Sequence, residues 1–505
     1  MSLAICYCRA NAGIIAPLVT VETHISPGFP GLHIVGLPET AVKESKDRVR
    51  SALINTGFEF PMRRITVNLA PADLPKEGGR FDLAIALGIL AASRQIPMNK
   101  LLEYEFMGEL ALSGELRAVS GILPVVLAAK KEGRLLIIPA CNGNEAALVK
   151  DARVLSAGHL LEVCAYLKGK KELTVPIASP EDSVTSSTNL ADVKGQLQAK
   201  RALEVTAAGR HSLLLMGPPG TGKTMLANRL PGILPGLSDD QALEIAAIAS
   251  ISRQGFHSSH WKRVPFRSPH HTTSGIALVG GGRPPQPGEI SLAHQGILFL
   301  DELPEFNAHV LEALREPLES GTITISRVTF QSVFPAKFQL IAAMNPCPCG
   351  YVGDPHHTCH CTTDQIRRYM GKLSGPFLDR IDMHIEVPAV SAEMLVMMND
   401  SPTESSAVVR ERVLRARVLQ MDRQGKCNAE LNASEFAKVC NLHAQAEHLL
   451  QEVMQKFHFS ARIYHRILKI ALTIADLKES KIITTEEISE ALRYRCFDRQ
   501  KHALY

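Results

Sequence analysis

The stretch "LLLMGPPGTGKTMLANRL" constrains this chain more than any other. Four apolar residues, Leu213 to Met216, run into Gly217, Pro218, Pro219, Gly220, Thr221, Gly222, Lys223 and Thr224, and helix-forming residues follow at once. The order G-x-x-x-x-G-K-[ST] between a buried strand and a helix reads as a phosphate-binding loop, because its glycines let backbone N–H groups turn inward around phosphate oxygens. Lys223 is placed to reach the β and γ phosphates, and the Thr224 hydroxyl to ligate Mg²⁺. A chance Gly-rich turn would not also supply the lysine and the hydroxyl in register.

A second strand end completes the pattern. In "GILFLDE" the apolar run Ile297–Leu300 stops at Asp301 and Glu302. Asp301 is expected to hold Mg²⁺ through water and Glu302 to polarise the attacking water. Asn345 closes the apolar "FQLIAAMN" and could orient the same water. Arg380, in "SGPFLDRIDMHIEV", and Arg462, in "SARIYHR" just after a Ser460 N-cap, could each stabilise charge on the γ-phosphate. Each could equally be a surface ion pair. The chemistry implied is ATP hydrolysis, with ATP and Mg²⁺ as cofactors.

Length and composition set the frame. A chain of 505 residues can bury several cores, and ordinary domain sizes give about three. Residues 1–170 alternate β-branched runs with helix-like stretches, and 171–189 read as a polar linker. Residues 190–390 carry the phosphate loop, and 391–505 repeat apolar residues at helical spacing. The fold class expected is α/β multidomain: an α+β domain, a P-loop α/β core and a C-terminal helical lid. The N-terminus lacks a secretory pattern and no apolar run is long enough for a bilayer, so a cytoplasmic protein with no membrane partner is expected. Eleven cysteines in a reducing compartment point away from a disulfide framework. A net charge of +4 excludes a surface coated in basic residues, so any nucleic-acid contact must be local.

The order of phosphate loop, "LFLDE", strand-ending Asn, "LDRID" and "SARIYHRILKIALTIADL" resembles the AAA+ ATPases of the branch that includes magnesium-chelatase motors and MCM helicases. "ISR" (Ile325–Arg327) followed by "PAKFQLIAAMNP" is similar to the chelatase hairpin. Nearly the whole chain, including "GLPETAVKESKDRVRSA", "NLAPADLPKEGGRFDL" and "PFRSPHHTTS", resembles the bacterial ComM/YifB family. The resemblance implies that Asn345 is sensor 1, Arg380 a finger acting on a neighbouring subunit, and Arg462 or Arg466 sensor 2. It further implies a homo-oligomeric ring, a hexamer, that encircles DNA and drives branch migration of recombination intermediates in natural transformation. The rival readings are a chelatase-type motor acting on a protein partner, a DNA-binding regulator that uses ATP only to assemble, and a protein unfoldase or protease.

The N-terminal domain bears on the last of these. "LPKEGGRFDLAIALGIL" and "MGELALSGELRAVSGILPVVLAAKKEG" are similar to the Lon protease domain, whose ribosomal S5 domain 2-like fold carries a Ser–Lys dyad. Alignment puts Arg80 at the serine and Leu123 at the lysine. An always-protonated arginine cannot act as nucleophile, so proteolysis by this route is not expected. Arg48, Arg50, Arg63, Arg64 and Arg80 could instead face a ring channel and touch phosphates, or simply be solvated.

Two further segments carry candidate sites. Between Lys223 and Asp301 the chain exceeds a minimal crossover, and Lys262, Arg263 and Arg267, interleaved with Trp261 and Phe266, suit contact with duplex or single-stranded DNA. Packing is the alternative, with Trp261 as core. His257, His260, His270 and His271 lack a cysteine or carboxylate at ligand spacing and are not expected to bind metal. In "NPCPCGYVGDPHHTCHC", Cys347-x-Cys349 and Cys359-x-Cys361 form two pairs able to surround one tetrahedral Zn²⁺, although His356, His357 or His360 could replace a sulfur. Cys6-x-Cys8 is expected to be structural.

Overall fold

Strands as apolar as Leu213–Met216 and Gln339–Met344 are fully buried, as parallel strands must be when both faces are covered. In the computed structural model, which describes residues 2–36, 40–178, 188–282, 285–327, 330–354, 357–389 and 403–495, they lie side by side in an all-parallel five-stranded sheet. Its order is Phe266–Arg267, Ile297–Leu300, Gln339–Met344, Leu213–Met216, Met383–Glu386. Counted along the chain, that is 5-1-4-3-2 from the other edge. Met216 pairs with Met344 and Leu300 with Ala342, so Gly217, Asp301 and Asn345 all emerge at the carboxyl end of the sheet. Open α/β sheets bind their ligands there.

The N-terminal sheet has seven strands: Gly31–Val35, Arg64–Ala70, Leu18–Ser26, Ser2–Arg9, Tyr104–Phe106, Leu135–Pro139 and Val154–Ala157. Strand Leu18–Ser26 alternates buried and half-buried residues. Helix Asp82–Ala92 is buried along its whole length, with the Asp82 carboxylate accepting from Ser45, from Arg48 Nε at 2.8 Å and from Leu110 N at 3.3 Å. A buried carboxylate needs such partners to stay in place. Arg80 is also buried, donating to Asn11 Oδ1 at 2.6 Å and Ser120 O at 3.1 Å, and Leu123 has no exposed surface. Arg80 and Arg48 are therefore committed inside the domain rather than available to a channel, whereas Arg50, Arg63 and Arg64 are exposed. Cys6 and Cys8 are buried, and burial pushes the Cys8 thiol up to about 12.

The segment after the phosphate loop joins the two sheets. Helix Asp239–Ile251, opened by a Ser238/Gln241 capping box, lies against helix Ile122–Lys131, with Gly121 N donating to Ser250 O at 2.9 Å. Ala246 and Ala247 belong to the N-terminal domain's core, and Phe256 and Trp261 pack on its edge. Trp261 is thus packing, as the alternative had it. The hairpin expected before Asn345 is present, Thr322–Arg327 pairing with Phe330–Pro335.

The C-terminal part is helical: Ser406–Gln424, Ala433–Val439, Ala444–Phe457, Ala461–Leu477 and Thr485–Arg493. Ser460 caps the fourth, accepting from Ile463 N at 3.4 Å, and Ile463, Ile467, Ile470 and Ile474 form its buried stripe. Among the described residues no helix is long and apolar enough to cross a membrane.

Candidate active site

The phosphate loop takes the shape its glycines permit. Gly220 and Gly222 have φ of +76° and +85°, and a Cβ on either would meet nothing within 4 Å, so the space above the loop is open. Gly217 N donates to Met344 O at 3.2 Å and Val387 N to Met216 O at 2.7 Å, which ties the loop to both neighbouring strands. Lys223 opens the following helix and is buried, its Nζ donating to Gly217 O at 2.8 Å, Pro218 O at 2.7 Å and Asn345 Oδ1 at 3.1 Å. Burial lowers its pKa and Asp301 partly restores it. The Thr224 hydroxyl donates to Asp301 Oδ2 at 2.6 Å. Phosphate loop, Asp301 and Asn345 therefore form one cluster, whose hydroxyl and carboxylate oxygens suit Mg²⁺ and whose ammonium suits the phosphate that would carry it.

Glu302 sits beside this cluster with φ +53° and ψ +46°, a left-handed conformation uncommon outside glycine and asparagine. Its carboxylate lies 3.0 Å from Nδ1 of His271, whose ring is tilted against that of His270 with centroids 4.1 Å apart. This pairing escaped the sequence reading. The available signal was "SPHH" directly after strand Phe266–Arg267, which neighbours the strand ending in Asp301.

The two arginines go elsewhere. Arg380 Nη2 lies 2.6 Å from Glu319 Oε1, and Arg462 reaches toward the same oxygen at 3.9 Å. Both line a cleft of about 990 Å³ with Arg210, Lys337, Lys426 and Lys469, and no residue of Gly217–Thr224 lines it. Arg466 also lines the cleft but is bound at 2.7 Å to Asp382, which in turn accepts from Ser212 N and Oγ at 2.9 and 3.0 Å. Burial would raise the Asp382 pKa, but Arg466 and His211 outweigh it and hold the carboxyl well below its usual range.

The four cysteines meet. Sγ of Cys347 is 3.4 Å from that of Cys349 and 3.7 Å from that of Cys359, Cys349 is 3.5 Å from Cys359, and all four sulfurs, Cys361 included, lie within 4.8 Å of one another. Zn–S bonds of about 2.3 Å in a tetrahedron require S···S edges of about 3.8 Å, so the set fits. Gly350 N and Cys361 N donate to sulfurs at 3.2 and 3.4 Å, and a hydrogen bond from Tyr351 N holds the Cys349 thiol down to about 6. His357 instead faces Asp354 and lies tilted against Tyr351, and His356 lies outside the described residues. A Cβ on Gly350 would come within 2.6 Å of Pro219, so this loop rests on the phosphate loop itself.

Of the three cations read as DNA contacts, Arg267 is bidentate to Glu289 at 2.6 and 2.8 Å and Lys262 pairs with Asp239 at 2.8 Å. Their charge is largely compensated within the chain, while Arg263 makes no ion pair among the described residues.

A 5-1-4-3-2 parallel sheet with a phosphate loop after its first strand, acidic residues ending the third strand and an asparagine ending the fourth defines an AAA+ ATPase. The chain is 52% identical to Competence protein ComM of Haemophilus influenzae, over 99% of this chain and 98% of that protein, and 52% identical to YifB of Escherichia coli over the same shares. It belongs to the ComM/YifB family of Mg-chelatase-like proteins. Models of magnesium chelatase subunit ChlI match residues 189–395, of ChlI of Mg-chelatase residues 21–142, and of the ChlI C-terminal region residues 403–495. The chloroplastic magnesium-chelatase subunit ChlI of Glycine max is 25% identical over 46% of this chain and 58% of its own.

Proposed function

We propose that the chain is a cytoplasmic AAA+ motor, working as a hexameric ring around DNA and driving branch migration of recombination intermediates during natural transformation. The observation that carries the ring is the separation of Arg380 from the phosphate loop of its own chain. Arg380 is held by Glu319 and Arg462 leans on the same oxygen, both on a basic cleft apart from Gly217–Thr224, so the nucleotide they would meet is one held by a neighbour, its phosphate taking the place of Glu319. DNA as the track is supported by full-length kinship with a protein named for competence.

The chain's own groups divide the work. Backbone amides of Gly217–Thr224 and Lys223 bind the phosphates, and Thr224 and Asp301 would hold Mg²⁺, which would supply charge neutralisation at the phosphates. Glu302 takes up the proton of the attacking water while Asn345 orients that water. The neighbour's arginine meets charge developing on the γ-phosphate. Cys347, Cys349, Cys359 and Cys361 would hold Zn²⁺, which would staple the loop between Asn345 and Arg380.

The test offers the full chain, with ATP, a labelled four-way junction and, separately, casein. Strand exchange that requires ATP is expected. ATP turnover with no junction movement would favour the chelatase-type motor, and cleaved casein would restore the protease reading.

A further inference from the structure

The motor reading leaves one end of the N-terminal sheet unexplained. There the chain turns through Pro27, Gly28, Phe29 and Pro30, linking strand Leu18–Ser26 to strand Gly31–Val35. Ser26 and Gly31 both pair with Arg64, so the four-residue turn arches over the first residue of strand Arg64–Ala70. Gly31 N donates to Arg63 O at 3.3 Å, and a Cβ on Gly28, at φ +145°, would touch the Arg64 stem at 3.4 Å. The turn is thus fixed at both ends, and two prolines stiffen it.

What it presents is unusual for a solvated turn. Phe29 is 94% exposed and Met62, on the adjoining segment, 71%. Arg63 and Arg64 are exposed, and neither makes an ion pair among the described residues. The closest carboxylate in sequence, Glu59, makes none with them either. The guanidinium of Arg50 lies 5.5 Å from the ring of Phe60, two residues before Met62. A flat aromatic face held on a rigid turn beside uncompensated guanidinium groups matches a polymer that offers flat bases and regularly spaced phosphates. Only unpaired bases expose their faces for stacking.

We propose that this tip, Phe29 with Met62, Arg63 and Arg64, is a contact for single-stranded nucleic acid, one base stacking on Phe29 while the two arginines bind flanking phosphates. The proposal rests on the motor reading for the kind of polymer, and on the tip for where and in what form that polymer is held. It also reassigns the N-terminal domain from a lost protease site to a strand-holding element.

The test measures binding of labelled poly-dT and of a duplex by anisotropy, using the full chain and its variants. Phe29→Ala should weaken poly-dT binding about tenfold, and Phe29→Trp should restore it, since stacking needs only an aromatic face. Replacing Arg63 and Arg64 together by Ala should reduce the slope of log K against log salt by about 1.4, or about 0.7 for each phosphate left without its arginine. All these side chains are exposed, so melting temperatures should match the parent. Parental poly-dT affinity in Phe29→Ala overturns the proposal, as does a parent that binds duplex alone, which leaves the motor reading standing. If Phe29→Ala impairs assembly in sedimentation while assembled rings keep their affinity, the tip is a contact between copies. A parent that binds neither polymer fails the DNA reading itself.

Discussion

At the scale of single residues, Lys223 and Glu302 separate binding from chemistry. Lys223→Ala removes the buried ammonium proposed to bind the phosphates, so ATP affinity should fall about 10- to 100-fold in equilibrium titration. Glu302→Gln keeps shape but loses the proton acceptor, so ATP should still bind while turnover drops about 10²- to 10⁴-fold in a phosphate-release assay. Parental turnover in that variant would remove Asp301 and Glu302 from their assigned roles. Asp382 makes a prediction about stability instead. Its folded pKa lies below the ordinary value, so the stability its pairing with Arg466 contributes is fully present above about pH 5 and is lost progressively as pH falls below about 3.9 toward the depressed folded value. Asp382→Asn should cost about 3 kcal/mol near neutrality, read as a lower urea midpoint, because it leaves Arg466 mostly buried without its counter-charge. The gap from the parent should narrow on acidification. A constant gap across that range would mean the stabilisation comes from packing rather than from the ion pair.

At the scale of elements, the cysteine loop shows how far spacing alone could go. C-x-C pairs nine residues apart state that four sulfurs can meet, and they do. That the loop also leans on Pro219 through Gly350 could not be read, because the contact spans more than a hundred residues of chain. The double variant Cys347→Ser, Cys349→Ser should lose about one zinc per chain by mass spectrometry, since a serine hydroxyl stays protonated and ligates poorly. It should also lower turnover, because the loop's support for Pro219 and Asn345 loosens. A preparation free of metal after exhaustive chelation, with parental stability and activity, would remove the staple. The helix Ala461–Leu477 teaches the opposite lesson. Its start at Ser460 and its buried stripe were legible, yet the partners of Arg462 and Arg466 were not, because they depend on where Glu319 and Asp382 end up.

At the scale of the whole molecule, the position of Arg380 predicts behaviour that independent subunits cannot show. Arg380→Ala should leave ATP affinity near that of the parent while cutting turnover about 10³-fold. Mixing Arg380→Ala chains with Lys223→Ala chains should restore part of the hydrolysis, since some sites then pair an intact phosphate loop with an intact neighbouring arginine. No recovery in rings shown to be mixed would place Arg380 outside any active site. The same scale holds the union of the two α/β parts, made by helix Asp239–Ile251 and the Phe256–Trp261 corner.

The sequence by itself determined what local chemistry can determine. Glycine, lysine and hydroxyl in a strand-turn-helix context specify a phosphate loop, apolar runs ending in Asp-Glu and Asn specify strand ends in a parallel sheet, and paired cysteines specify a thiolate cluster. Each depends on residues a few positions apart. The tertiary structure alone decided which charges are spent inside the chain, as with Arg48, Arg267 and Arg466, and which remain outward, as with Arg63 and Arg64. It also brought His271 to Glu302 and aligned Arg380 with Arg462. An arginine's sequence neighbourhood does not reveal whether a carboxylate far along the chain will neutralise it. That is set by packing of distant elements, and in an ion pair the interaction changes steeply over a few ångströms.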